Sequence, residues 1–123
     1  MEYTNTVLIV DDSQMVTKVL SFIVKKAGYN ILSAIDGKNA LEFFDGREID
    51  LVITDLNMPN MDGLEFISEI RLKEYYQYIP VVLFIPDGEK NRKEIIETSG
   101  ATILFDKNNI KEKIIPTINK MLG

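Results

Sequence analysis

Apolar residues recur along this chain in two alternating rhythms. Short continuous runs at positions 7–10, 31–34, 51–54, 81–85 and 102–105 are rich in valine, isoleucine and leucine. Runs of this length with no polar alternation predict strands covered on both faces. Between them lie longer stretches with helical spacing. The first has Ser13 as its predicted N-cap, a face of Met15, Val16, Val19, Leu20, Ile23 and Val24, and Gly28 as its stop. Asp36 is placed to cap a second helix ending near Phe44. Asp62 stands three residues before Glu65, the spacing of a capping box, ahead of Leu64, Phe66, Ile67 and Ile70. A fourth helix is expected from about Gly88 to Ser99. The fifth carries Ile110, Ile114, Ile115, Ile118, Met121 and Leu122, with Pro116 expected to kink or restart it. Tyr75, Tyr76 and Tyr78 fall between the third helix and the fourth strand, where loop packing is expected. Five strands alternating with helices predict an α/β fold with a doubly wound parallel sheet.

Composition narrows the chemistry. A chain of 123 residues, 46% hydrophobic and 27% charged, is expected to form one domain spanning 1–123. No signal peptide or membrane span is legible, and with no cysteine in the sequence a reducing, cytoplasmic setting is expected. The formal net charge of -5 argues against direct binding of nucleic acid. Histidine is also absent, which removes imidazole bases, Ser-His-Asp arrangements and the usual zinc sites. Carboxylates, lysine, backbone groups and hard cations remain.

Three of the predicted strands end in such groups. The first runs into Asp11-Asp12, the third into Asp55 and the fifth into Asp106-Lys107. In an open α/β sheet these ends meet at the carboxyl edge, where ligands bind. Clustered carboxylates repel unless a cation joins them, and an all-oxygen donor set favours Mg²⁺, with Mn²⁺ as a substitute. Asp55, alone at the end of the predicted central strand, is the candidate nucleophile, because a carboxylate can accept a phosphoryl group as an acyl phosphate. Lys107 would supply positive charge for the phosphoryl oxygens. Taken singly, each residue favours a plainer reading, Asp11 and Asp12 as caps of the first helix and Lys107 as a solvated loop charge. It is their convergence at three strand ends that points to phosphoryl chemistry.

These segments also resemble a known family. Val10-Asp11-Asp12-Ser13, the nine residues Asp55-Leu56-Asn57-Met58-Pro59-Asn60-Met61-Asp62-Gly63, and Gly100-Ala101 followed by Lys107 are similar to the receiver domain of two-component response regulators, the CheY-like family. The resemblance covers essentially the whole chain and implies a flavodoxin-like (βα)5 sheet of order 2-1-3-4-5. It implies Asp55 as phosphoacceptor, Asp12 and Asp55 as direct Mg²⁺ ligands, Asp11 as a ligand through water, and the Asn57 backbone carbonyl as a further ligand. Lys107 would contact the phosphoryl group. The implied partners are a sensor histidine kinase or histidine phosphotransfer protein and a downstream protein, with no output domain in this chain. By the same analogy the kinase docks near the first helix, and output partners use the fourth helix, fifth strand and fifth helix.

Four positions depart from the family pattern. The fourth strand usually ends in Thr or Ser followed by a small residue, supplying a hydroxyl and an N–H to the phosphoryl group; here Ile85 and Pro86 supply neither. Each missing charge-assisted bond would be worth roughly 1.5–3 kcal/mol. The family's switch aromatic is Leu104, and the proline after the lysine is Asn108. A cis Lys107–Asn108 bond would cost about 2.5–4 kcal/mol, so a trans bond and some shift of Lys107 are expected. Ile85 and Leu104 are expected to pack together in the core. The leading expectation is a phosphoaccepting, non-enzymatic receiver that signals by a non-standard switch; the alternative is a pseudo-receiver that binds partners without regulated phosphorylation. An aspartate-nucleophile phosphatase of the haloacid dehalogenase type is disfavoured because Ser13 stands where its second Asp belongs. No glycine-rich nucleotide-binding motif occurs.

Overall fold

A computed structural model describes residues 4–123. Its elements follow one another as β1 (Thr6–Val10), α1 (Gln14–Lys26), β2 (Asn30–Ala34), α2 (Gly37–Ala40), a 3-10 turn (Leu41–Phe43), β3 (Leu51–Asp55), α3 (Gly63–Arg71), β4 (Val81–Ile85), α4 (Arg92–Thr98), β5 (Ile103–Asp106), a second 3-10 turn (Lys107–Asn109) and α5 (Ile110–Leu122). All strand pairs are parallel, in the order β2-β1-β3-β4-β5. This is the flavodoxin-like order expected. The connection from β1 leads to β2 on one side and that from β3 leads to β4 on the other, so the crevice between β1 and β3 is the topological switch point of the sheet.

Alternate strand residues feed two cores. Leu8, Val10, Val52, Leu83 and Ile85 face Phe66, Ile67 and Ile70 of α3 and Ile95 of α4. Val7, Ile9, Ile53, Val82 and Phe84 face Leu20 and Val24 of α1 and Ile114 and Ile118 of α5. β3 and β4 are buried along their whole length, as their unbroken apolar runs require.

Several boundaries differ from the sequence reading for local reasons. On α1 only Leu20 and Val24 are fully buried, and Met15 is 77% exposed. At 100° per residue Met15 stands about 140° round the helix from Leu20, off the face that the sheet covers. α4 begins at Arg92 instead of Gly88, because the chain first turns at Pro86, whose carbonyl accepts from the Glu89 N–H, with Gly88 at φ 81. The second helix tightens into 3-10 geometry after Ala40 but still ends at Phe44. Thr102 precedes β5, where its Oγ1 accepts from the Val81 N–H at 2.9 Å. α5 runs through Pro116 without a restart. Tyr76 is buried and ties down the loop before β3, accepting from the Gly46 N–H and donating to the Arg47 carbonyl, whereas Tyr75 and Tyr78 are exposed.

Candidate functional site

The register of the sheet brings the three strand ends to one place. Val10 pairs with Thr54 and Asp55 with Phe84, so Asp11 and Asp55 emerge side by side. Asp11 is held by the turn into α1: its Oδ1 accepts from the Ser13 N–H at 2.8 Å, while Ser13 Oγ caps the helix at the Val16 N–H. One carboxylate oxygen each from Asp11, Asp12 and Asp55 lies within 4.8 Å of the others. Asp11 and Asp55 are only 2% and 9% exposed, whereas Asp12 faces solvent.

Lys107 enters from the end of β5. Its Nζ lies 3.2 Å from Asp55 Oδ2, as a hydrogen bond, and 3.0 Å from Asp11 Oδ2. The latter is a charge contact outside hydrogen-bond geometry, so Asp11 Oδ2 is buried without a hydrogen-bond donor. The Lys107–Asn108 peptide is trans, as are all those described, and the ammonium still reaches both carboxylates.

Charge in the site is unbalanced. Burial pushes the Asp55 carboxyl above its usual value, Asp11 beside it adds to the rise, and Lys107 and the Leu56 N–H offset only part of it. Burial opposes the charge on Lys107, but Asp11 and Asp55 outweigh it and hold the ammonium above its usual value. Three carboxylates thus share one ammonium, and the buried Asp11 Oδ2 is met by that shared charge alone, without a well-aligned hydrogen bond. A hard divalent cation bound by oxygen fits this donor set.

The backbone after Asp55 is confined. Its Oδ1 accepts from the Leu56 N–H at 3.0 Å, and Gly63 closes the following loop by donating to the Leu56 carbonyl at 2.8 Å. A Cβ on Gly63 would fall 2.3 Å from the Asp55 carbonyl oxygen, so only glycine lets α3 start this close to the end of β3. Asn57 occupies the exposed first part of that loop.

On the β4 side the site is apolar. Ile85 is fully buried, Leu104 packs against the same core cluster, and Pro86 and Asn108 are exposed. Ile85 pairs in register with Asp106, whose Oδ1 accepts from Arg92 Nη1 at 2.7 Å. That ion pair joins α4 to β5 and was not legible in the sequence. Nor was a contact from Asp36, read there only as a helix cap, to Asn60 in the loop after Asp55, at 2.8 Å.

Three carboxylates and a lysine at the carboxyl edge of a 2-1-3-4-5 sheet define a class, and comparison with known proteins agrees. Residues 7–119 match the family model of the response regulator receiver domain, and the chain belongs to that family, the CheY-like receivers of two-component signalling. It is 31% identical over 115 residues to the chemotaxis protein CheY-3 of Vibrio cholerae, covering 88% of this chain and 87% of that one. The CAI-1 autoinducer sensor kinase/phosphatase CqsS of Vibrio cholerae is 34% identical over 95 residues, which are 76% of this chain but only 14% of CqsS. Among solved structures, chemotaxis protein CheY4 of Vibrio cholerae superposes with a TM-score of 0.90 at 30% identity, covering 98% of this chain and all of that one. Response regulator TrrA of Thermotoga maritima, in complex with Mg²⁺-BeF, gives 0.82 at 28% identity, covering 97% of this chain and all of TrrA.

Proposed function

We propose that this receiver accepts a phosphoryl group on Asp55 from the phosphohistidine of a partner, a sensor histidine kinase or a histidine phosphotransfer protein, with Mg²⁺ as cofactor. The observation that carries the reading is the pairing of Asp55 Oδ2 with Lys107 Nζ beside the under-neutralised Asp11 and Asp12. In the transfer, an Asp55 oxygen attacks phosphorus, the nitrogen–phosphorus bond of the donor breaks, and the imidazole leaves with that electron pair. Lys107, already against Asp55, moves its charge onto the phosphoryl oxygens. Asp12, Asp55 and the Asn57 carbonyl would hold Mg²⁺ directly and Asp11 through water. Bound there, the ion supplies positive charge for the incoming phosphoryl oxygens and relieves the carboxylate repulsion.

The protein acts as an acceptor and not as an enzyme that turns over small phosphate esters. Its output departs from a hydroxyl-driven switch, since Ile85 and Pro86 offer the phosphoryl group no donor from β4. The same two residues favour the second reading, a pseudo-receiver that binds partners without regulated phosphorylation. Incubation with Mg²⁺ and a small acyl phosphate, followed by intact-mass measurement, separates them. A phosphoryl adduct present in the parent chain and missing in Asp55→Ala is expected. Its absence, with a histidine kinase supplied as donor as well, selects the pseudo-receiver.

A further inference from the structure

The loop that leaves Asp55 is held at its tip by a residue from a different crossover. Its base is closed by the Gly63 N–H on the Leu56 carbonyl, and inside it the Met61 N–H donates to the Pro59 carbonyl at 2.7 Å. At the tip Asn60 sits at φ 67, a left-handed conformation that glycine adopts without strain and other residues seldom do. Its Nδ2 donates to Asp36 Oδ2 at 2.8 Å, while Asp36 Oδ1 accepts from the Asn39 N–H at 2.7 Å. Asp36 is only 4% exposed. The neighbouring Gly37 presses against the same loop: a Cβ there would lie 2.9 Å from Phe66 Cβ and 3.0 Å from Met61 Cγ. Capping α2 accounts for one oxygen of Asp36; the other is committed to the acceptor loop. The Asn39 N–H and the Asn60 amide together hold the Asp36 carboxyl below its usual range, so it is ionised at neutral pH.

We propose that Asp36 is a positioning residue for the acceptor site: through Asn60 it fixes the loop of residues 56–63, and with it the Asn57 carbonyl, in the conformation that completes the ligand set around Asp55. The proposal rests on the reading of Asp55 as a Mg²⁺-assisted acceptor. Asp36 lies outside the Asp11, Asp12 and Asp55 cluster and reaches the loop through Asn60. Its effect is that of an outer-shell partner, which orients a ligand and thereby sets metal affinity.

Three variants of the full chain test it. Asn60→Gly keeps the positive φ and the α2 cap and removes only the amide. Asn60→Asp opposes two carboxylates. The exchange Asp36→Asn with Asn60→Asp again faces one amide with one carboxylate, and the amide oxygen introduced at position 36 still accepts from Asn39. Calorimetric titration with Mg²⁺ is expected to show binding weakened about tenfold in Asn60→Gly. Asn60→Asp weakens it further, and the exchange recovers most of the loss. Parental affinity in Asn60→Gly, or an exchange variant no better than Asn60→Asp, overturns the proposal. A second readout is independent of metal: amide hydrogen exchange at Met61 and Gly63 in metal-free protein should quicken in Asn60→Asp and slow again in the exchange variant. If the parent chain binds no Mg²⁺, the Asp55 reading fails by itself. The holding role then stands on the exchange rates, and unchanged rates overturn it.

Discussion

At the scale of single residues, Asp55 combines the proposed acceptor role with a cost to the fold. It is buried beside Asp11, and Lys107 and the Leu56 N–H do not fully offset the two effects together, so its folded pKa exceeds its unfolded one. Between those two values the native state holds the proton more tightly than the unfolded chain, and stability falls as pH rises through that window. Above it, the ionised carboxylate is a standing penalty in metal-free protein. Asp55→Asn removes the charge and keeps the shape. Thermal unfolding without Mg²⁺ should therefore show the variant more stable than the parent by a few degrees at pH 7. The gain should shrink as pH falls toward the ordinary carboxyl value of 3.8. An equal gain at low pH would assign the effect to packing instead of charge.

At the scale of elements, two helices carry features that stability measurements can isolate. Pro116 lies in the middle of α5, exposed, with no N–H to give to the carbonyl four residues earlier. Helical patterning on both sides, from Ile110 to Leu122, keeps the helix intact because Ile114 and Ile118 bury the same face across the proline. Pro116→Ala should therefore stabilise the fold, by about 1–3 kcal/mol from helix propensity, read as a higher urea midpoint at unchanged slope. Arg71 ends α3 and donates to three carbonyls: Gly100 through Nε and Nη2, and Gln77 and Ile79 through Nη1. Most of these bonds are solvent-accessible, so Arg71→Met should cost about 1–2 kcal/mol in the same urea experiment. Arg71→Lys should recover only part, since an ammonium lacks the planar fork. Patterning revealed the helix of Arg71 but not its partners, because backbone carbonyls six to 29 residues away leave no trace in residue type. Asp36 was legible for a related reason only as a cap: the Asn39 bond is local, whereas the Asn60 bond spans 24 positions. The late start of α4 followed from the Pro86 turn, a local geometry that helical spacing does not report.

At the scale of the whole molecule, the unbroken apolar runs of β3 and β4 pointed to the sheet, and the strand-end acids pointed to the carboxylate cluster, because both are properties of residue type in sequence order. Distances between Asp11, Asp55 and Lys107 depend on register, which only the fold supplies. That convergence couples ligand binding to global stability. A ligand held only by the native state stabilises it by mass action, about 2.7 kcal/mol at a hundredfold excess over its dissociation constant. If Mg²⁺ binds the three carboxylates, it should raise the unfolding temperature of the entire domain as one transition. Asp12 gives this a control, because it belongs to the carboxylate cluster yet is exposed, outside the packed core. Asp12→Ala should leave metal-free unfolding close to the parent while abolishing most of the Mg²⁺-dependent rise. Acid should weaken the rise in the parent as well, since Asp55, whose pKa is raised, takes up a proton and ceases to be an anionic ligand. A rise that survives in Asp12→Ala and is independent of pH would place Mg²⁺ elsewhere on the acidic surface.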